Sequence, residues 1–284
     1  MKLVRFGDAG AERPGLIDRN GQLRDLGEVV SDIDADALSR EGLARLQALD
    51  WSMLPLVEQP VRYGPPVAET RQFVAIGLNY ADHAAETGQA APPEPVIFTK
   101  AVSCIQGCGD DVRKPRLATK MDWEVELGIV IGERASYVDK DKALDHVAGY
   151  LVVDDLSERQ FQMERGQTWD RGKGCETFGP VGPWLVTADE VGDPQDLDMW
   201  LDVNGTRMQT GNTRTMIFDC AELVSYVSEF MVLLPGDIIT TGTPPGVGMG
   251  KSPQVWLQEG DVIELGIEKL GQQKHRVIAW NHGR

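Results

Sequence analysis

A chain of 284 residues with 42% hydrophobic and 25% charged residues is typical of a globular protein with one large domain, or a small domain joined to a larger one. Its formal net charge of −16 argues against a nucleic-acid partner, because phosphate binding needs a basic surface. No apolar run approaches the roughly 20 residues of a membrane span, so no membrane partner is expected and a cytoplasmic location is predicted.

Residues 1–65 are predicted to form a small N-terminal α+β domain. A strand is expected at residues 2–6, followed by a hairpin whose turn is Asn20-Gly21, the strongest short-range hairpin signal. A polar helix is predicted at about residues 37–49. Pro60, Pro65 and Pro66 then indicate a linker, so the second domain is predicted to cover residues 66–284.

The second domain is predicted to be mainly β with some α. Asn204-Gly205 indicates another hairpin, and residues 262–267 and 275–279 are expected to form a closing antiparallel pair. Helices are expected chiefly at residues 80–87, 157–165 and 219–230. Because strands and helices do not alternate regularly, a mixed β-roll with a barrel-like form is preferred over a doubly wound parallel sheet.

Two carboxylates in one buried strand are the most informative feature of the chain. The run from Asp122 to Ile131 is rich in Val and Ile, which predicts a buried strand. Successive strand side chains alternate between faces, so Glu124 and Glu126 point the same way. Two buried like charges stay ionised only beside a cation, which favours a metal site over a solvent-facing stripe on an edge strand.

A third ligand is expected where a second apolar run, residues 149–153, ends in Asp154 and Asp155. Either aspartate can supply it. Hard oxygen ligands without His or Cys suit Mg²⁺, with Mn²⁺ and Ca²⁺ as alternatives, better than Zn²⁺. Three carboxylates leave metal positions open for substrate oxygens, which indicates a catalytic site.

Two further segments carry groups suited to catalysis. His83 and Glu86 lie three residues apart, on one face of the predicted short helix, where neutral histidine is favoured as a general base. The alternative is a surface histidine with an incidental partner. Lys173 lies between glycines on a predicted loop, and it becomes a candidate catalytic residue only if this loop folds over the carboxylates.

Five segments in sequence order together resemble the fumarylacetoacetate hydrolase family, from about residue 73 to the C-terminus. They are the runs GLNYADHAAE at residues 77–86, WEVEL at 123–127, DDLSER at 154–159, KGCETFGP at 173–180 and PGDIITTGTP at 235–244. Two positions depart from the family pattern, because Asp154 stands where relatives more often have Asn and Glu176 where they more often have Asp.

The resemblance implies a catalytic domain of the fumarylacetoacetate hydrolase type and a divalent metal held by three carboxylates. It also implies a His83/Glu86 dyad on a mobile lid and assembly as a homodimer or homotetramer. The implied metal ligands are Glu124, Glu126 and Asp155, and the implied substrate contacts are Lys173, Gln162, Thr243, Arg159 and Lys100.

Within the family, the chain is similar to bacterial members that act on 2,4-diketo-3-deoxy sugar acids, as in L-rhamnonate or L-fuconate breakdown, and to members labelled ureidoglycolate lyase. The expected partner is thus a small anionic keto acid. The expected reaction is metal-dependent hydrolysis of the C3–C4 bond of an acylpyruvate, giving pyruvate and a carboxylic acid. The alternatives are oxaloacetate decarboxylation, ureidoglycolate cleavage, diene-dioate isomerisation and, remotely, non-catalytic binding of a carboxylate or metal.

Overall fold

The computed structural model describes residues 1–81, 91–166 and 168–280. The strands are β1 Lys2–Phe6, β2 Arg13–Ile17, β3 Leu23–Asp25, β4 Phe73–Gly77, β5 Val96–Lys100, β6 Ile105–Gly107, β7 Val112–Arg113, β8 Met121–Asp122, β9 Val125–Ile131, β10 Val147–Asp154, β11 Ser157–Glu158, β12 Gly179–Thr187, β13 Asp198–Val203, β14 Thr206–Asn212, β15 Ile238–Thr240, β16 Val262–Ile267 and β17 Gly271–Ile278. The described α-helices are α1 Ala35–Leu38, α2 Arg40–Gln47, α3 Arg159–Glu164, α4 Asp170–Lys173, α5 Ala188–Val191 and α6 Cys220–Phe230. Short 3₁₀ turns cover Trp51–Met53, Val102–Cys104, Lys140–His146, Thr213–Thr215 and Gly248–Gly250.

A large mixed sheet forms the centre of the molecule. Its strand order is β3-β2-β1-β12-β10-β9-β15-β4-β5, with β6 beside β12. The pairs β15–β4 and β12–β6 are parallel, whereas β9 and β10 are antiparallel. Strands β9 and β10 are buried along their whole length, which explains why their sequences are almost uniformly apolar.

The sheets are open, so the barrel-like form expected from the sequence is wrong. The large sheet ends at β3 on one side and β5 on the other. Within the described residues these two edges do not pair with each other. Asp170, the first residue of α4, accepts a hydrogen bond from the backbone N–H of Thr99 on β5 (3.1 Å), and Arg24 on β3 pairs with Leu56 in an isolated bridge. Such contacts occupy some of the backbone groups that barrel closure would use.

The N-terminal strands belong to the same sheet as the site-bearing strands. Strand β1 pairs antiparallel with β12, with Lys2 opposite Val186 and Leu3 opposite Leu185. Leu3 and Leu16 lie in the same continuous hydrophobic core as Val125. The boundary at residue 65 stays a prediction.

A five-stranded sheet of order β14-β13-β16-β17-β7 packs beside the large one. The hairpins at Asn20-Gly21 and Asn204-Gly205 are confirmed, with Gly21, Asn204 and Gly205 all at positive φ. The predicted pair of C-terminal strands is confirmed as β16 and β17. Among the described residues, no helix has the length and apolar character that crossing a bilayer requires.

Candidate metal centre and active-site cavity

Three buried carboxylates meet where β9 begins and β10 ends. Antiparallel pairing places Val153 opposite Glu126, and the backbone N–H of Asp155 donates to the carbonyl of Glu124 (2.9 Å). Oxygen atoms of Glu124, Glu126 and Asp155 lie within 4.8 Å of one another. The shared face of Glu124 and Glu126 follows from strand alternation, while Asp155 joins them through the register of the two strands.

Asp154 lies outside this cluster. One of its carboxylate oxygens accepts from the backbone N–H of Glu124 (3.2 Å), and the other is buried without a partner among the described residues. Burial raises the pKa of Asp154 to about 8, so this side chain is largely neutral at pH 7. Of the two aspartates that the sequence left open, the geometry brings Asp155 to the other carboxylates.

Three cations surround the cluster and neutralise part of its charge. Lys173 Nζ lies 2.7 Å from Asp155 Oδ2 and also contacts Glu124, while Lys100 Nζ lies 2.6 Å from Asp155 Oδ1. Arg159 donates to Glu124 Oε1 (2.5 Å) and to Asp122 Oδ2 (2.9 Å). Burial alone would lower the pKa of Lys100, but the adjacent Asp155 carboxylate outweighs it and holds that pKa above its ordinary value.

Glu126 is the exception, because no described Lys or Arg forms an ion pair with it. Its Oε2 accepts hydrogen bonds from Thr240 Oγ1 (2.5 Å) and the backbone N–H of Gly242 (2.9 Å). Burial, reinforced by repulsion from Asp155 and Glu124, raises the pKa of Glu126 well above its usual range. Asp155 Oδ1 receives no well-aligned hydrogen bond from the described residues, although Lys100 lies close to it.

These features fit a divalent cation. The donor set is three hard carboxylate oxygens, which suit Mg²⁺ or Mn²⁺. One carboxylate, Glu126, has no cationic partner among the described residues, and a bound cation would relieve the mutual repulsion that disfavours its ionised form. Glu124, Glu126 and Asp155 are therefore the residues that could hold the metal.

A cleft opens beside the cluster. Arg159, Gln162, Lys173 and Thr243 line it together with the three carboxylates. The structure thus brings most of the sequence-predicted site residues to one place.

The predicted substrate contacts differ in what they can offer a ligand. Lys100 does not line the cleft, since its side chain is fully enclosed behind Asp155. The Thr243 hydroxyl donates to the carbonyl of Val125 (2.9 Å) and accepts from Gln209 Nε2 (2.7 Å), so its proton is already used. Gln162 accepts from Arg159 (3.0 Å), and its amide nitrogen donates to no described residue.

His83 and Glu86 lie outside the described residues, so the proposed dyad stays a prediction. The strand that leads to them ends at Gly77, and Leu78 follows with φ of 56° at the cleft. The Asn79 carboxamide donates to the carbonyls of Phe218 (3.0 Å) and Thr241 (2.8 Å). The Asn79 side chain thus connects the turn at residues 78–79 to the loop that follows β15, a role that the sequence did not predict.

Several residues of the site were missed by sequence reasoning. Asp122 accepts from the backbone N–H groups of Gly248 (2.6 Å) and Met249 (3.1 Å), and so fixes the glycine-rich turn at the cleft. Phe98 and Trp169 also line the cleft. Asp122 stood beside the two glutamates in sequence, but nothing local distinguished Phe98 or Trp169 from ordinary core aromatics.

Comparisons with known proteins agree with this geometry. Residues 72–278 match the family model described as fumarylacetoacetate (FAA) hydrolase C-terminal. The chain is 57% identical, over 99% of its own length and 98% of the relative's, to a 2,4-didehydro-3-deoxy-L-rhamnonate hydrolase from Sphingomonas sp. (strain SKA58).

Two solved structures are similar over nearly the whole chain. A fumarylacetoacetate hydrolase from Exiguobacterium antarcticum has a TM-score of 0.88 at 35% identity, covering 99% of this chain and all of that one. A maleylpyruvate hydrolase from Sphingobium sp. SYK-6, solved with manganese(II) and pyruvate, has a TM-score of 0.82 at 30% identity and the same coverage. The chain belongs to the fumarylacetoacetate hydrolase family and is an enzyme of the kind that acts on keto acids.

Proposed function

We propose that this protein is a divalent-metal-dependent hydrolase that cleaves the C3–C4 bond of a 2,4-diketo acid, with a 2,4-diketo-3-deoxy sugar acid as its substrate. The observation that carries the proposal is the three-carboxylate cluster beside a cleft that Lys173 and Arg159 also line. Within the part of the chain that the structure describes, Glu126 of this cluster has no cationic partner. The name of the Sphingomonas relative supports the sugar-acid substrate, and the manganese and pyruvate of the Sphingobium structure support the metal and the product.

The proposed reaction adds water to the C4 carbonyl of the acylpyruvate. A new C4–O bond forms and the C3–C4 bond breaks, with its electron pair going to C3. Protonation of C3 then gives pyruvate, and C4 becomes the carboxylate of the second product. Glu124, Glu126 and Asp155 would hold the metal, which when bound supplies positive charge that neutralises the oxygens of the keto acid.

The chain's own side chains would accept the proton and orient the metal ligands. His83, oriented by Glu86, would accept the proton of the attacking water. Lys173 and Arg159 hold Glu124 through ion pairs, so the carboxylate ligands are oriented before a metal binds. The fully enclosed Lys100 does the same for Asp155 from behind the cluster.

Pyruvate release from a panel of 2,4-diketo acids tests the proposal. With Mg²⁺ or Mn²⁺, a 2,4-diketo-3-deoxy sugar acid or a simple acylpyruvate should give pyruvate and the matching acid in equal amounts. EDTA should abolish this release, and added Mg²⁺ should restore it. A higher kcat/KM for oxaloacetate, with release of CO₂, would instead establish the decarboxylase.

A further inference from the structure

Two chemically different sets of side chains line the cleft. One set is the carboxylate cluster with Arg159, Lys173 and Gln162. The other set, called the apolar wall below, consists of Ile76, Leu78, Phe98, Met163, Trp169 and Met249. The two sets meet where Lys173 Nζ lies 5.4 Å from the centroid of the Phe98 ring. With the ionised end of a keto acid at the cluster, its tail is left to contact the apolar wall.

Each cation at the cleft already has a carboxylate partner. Arg159 pairs with Asp122 and Glu124, and Lys173 pairs with Glu124 and Asp155. The described lining contains no other Lys or Arg. A second carboxylate at the far end of a substrate would thus be taken out of water with no Lys or Arg of the described lining free to pair with it, which is unfavourable.

Trp169 forms the apolar wall with Phe98. Their ring centroids lie 5.2 Å apart with an interplanar angle of 64°, the edge-to-face arrangement that aromatic pairs prefer. A Cβ atom at Gly77 would lie 2.3 Å from the Trp169 ring. Glycine is therefore required at position 77 because the indole packs directly on the backbone of β4.

Hydrogen bonds made by their chain neighbours also hold Trp169 and Phe98 in place. Asp170, next to Trp169, accepts hydrogen bonds from the backbone N–H (3.1 Å) and hydroxyl (3.0 Å) of Thr99, next to Phe98. The Trp169 carbonyl accepts from the backbone N–H of Gly172 (3.0 Å). The two aromatic residues are thus tied together through their chain neighbours, which forms the wall before any ligand binds.

We propose that Trp169, seated on Gly77 and packed against Phe98, is a specificity-determining residue that selects keto acids with an uncharged aliphatic tail over those whose tail ends in a carboxylate. This inference rests on the proposed function for the orientation of the substrate. It excludes dicarboxylic substrates such as diene-dioates and favours short acyl groups.

A matched pair of unreactive ligands tests the selection directly. 2-Oxohexanoate and 2-oxoadipate share the 2-keto acid end and the six-carbon chain, and differ only in a terminal methyl or carboxylate group. Calorimetry on the Mg²⁺-loaded protein should show that 2-oxohexanoate binds at least about tenfold more tightly than 2-oxoadipate. Equal or tighter binding of 2-oxoadipate would overturn the inference.

Substitution of Trp169 tests which residue is responsible. Trp169→Ala should weaken 2-oxohexanoate binding about tenfold and leave pyruvate binding unchanged, because pyruvate has no tail to contact the wall. Gly77→Ala should act in the same direction by displacing the indole. Trp51→Ala, at a half-buried tryptophan of the N-terminal segment, is the matched control and should change neither affinity. If Trp169→Ala kept the wild-type preference for 2-oxohexanoate over 2-oxoadipate, Trp169 would not be the residue that determines specificity.

A gain-of-binding variant does not depend on the stability of the wall. Met163 lines the cleft and is 48% exposed, so Met163→Lys adds a cation near the tail without filling the core. It should tighten 2-oxoadipate binding about fivefold, whereas Met163→Gln should not. Loss of that difference would contradict the charge argument.

The outcomes separate this inference from the proposed function. If 2-oxohexanoate is preferred but no acylpyruvate yields pyruvate, the hydrolase proposal fails and the tail selection stands. If acylpyruvates are cleaved but those with a carboxylate tail are cleaved faster, the hydrolase stands and the tail selection fails.

Discussion

Glu126 is the residue whose charge a bound cation would affect most directly. It is buried beside two other carboxylates, and among the described residues its partners are the neutral groups of Thr240 and Gly242. We expect Glu126→Gln to lower Mg²⁺ affinity at least about tenfold, measured by calorimetry. Without metal, its melting temperature should not fall, because the substitution removes a group whose charged form is disfavoured by burial and by the neighbouring carboxylates.

The matched control is Glu264→Gln on β16, which removes the partly exposed partner of Lys274. That variant should keep the wild-type affinity for Mg²⁺. Undiminished Mg²⁺ binding by Glu126→Gln would contradict the assignment of the metal site.

Asp154 and Asp155 are adjacent in sequence but lie in different environments. Asp155→Asn should lower Mg²⁺ affinity, because it removes a charged oxygen ligand from the cluster. Asp154→Asn should leave that affinity within about threefold of wild type, since Asp154 lies outside the cluster and is largely neutral at pH 7. Calorimetric titration of both variants with Mg²⁺ distinguishes the two aspartates. An equal loss of Mg²⁺ affinity in both variants would show that Asp154 is also a metal ligand.

At the scale of elements, Gln209 joins the two sheets at the site. This buried side chain on β14 accepts from the backbone N–H of Val125 (3.0 Å) and donates to the Thr243 hydroxyl and the Pro244 carbonyl (both 2.7 Å). Gln209→Leu should lower the free energy of unfolding by about 2–4 kcal/mol, because it leaves buried backbone groups without partners. Gln272→Leu, at an exposed position on β17, should change the free energy little in the same urea titration.

Strand β17 carries a buried histidine that should make stability depend on pH. Burial lowers the pKa of His275 to about 4, and its Nε2 lies 2.8 Å from Gln273 Oε1. Between about pH 6.5 and pH 4, the unfolded chain binds a proton at His275 that the folded chain does not, so stability falls as the pH falls.

Urea unfolding at pH 7.5 and pH 4.5 measures this contribution. Between pH 7.5 and pH 4.5, the free energy of unfolding of the wild type should fall by about 2–3 kcal/mol more than that of His275→Gln. Equal losses would show that His275 titrates alike in the folded and unfolded chains.

At the scale of the whole molecule, the N-terminal strands and the site share one sheet and one core. Strand β1 is hydrogen-bonded to β12, and Leu3, Leu16 and Leu26 belong to the same core as β9 and β10. Scanning calorimetry should therefore show one cooperative transition, and removal of residues 1–65 should prevent stable folding. Two separate transitions would show that the segment folds independently. The homodimer or homotetramer implied by the family resemblance stays a prediction, which sedimentation would test.

Sequence by itself determined the features that depend on local geometry. The alternation of side chains along a strand put Glu124 and Glu126 on one face, and the Asn-Gly dipeptides predicted the hairpins at residues 20–21 and 204–205. These properties follow from a few consecutive residues, so no knowledge of distant contacts is needed.

Only the tertiary structure decided which groups surround the cluster. Asp155 rather than Asp154 joins the glutamates because β9 and β10 pair in one particular register. Lys100 lies behind Asp155, and Trp169 rests on Gly77, through contacts between residues distant in sequence. The open edges of the large sheet likewise depend on how whole strands are arranged. Such long-range packing depends on the positions of whole elements, which the period of a single strand does not encode.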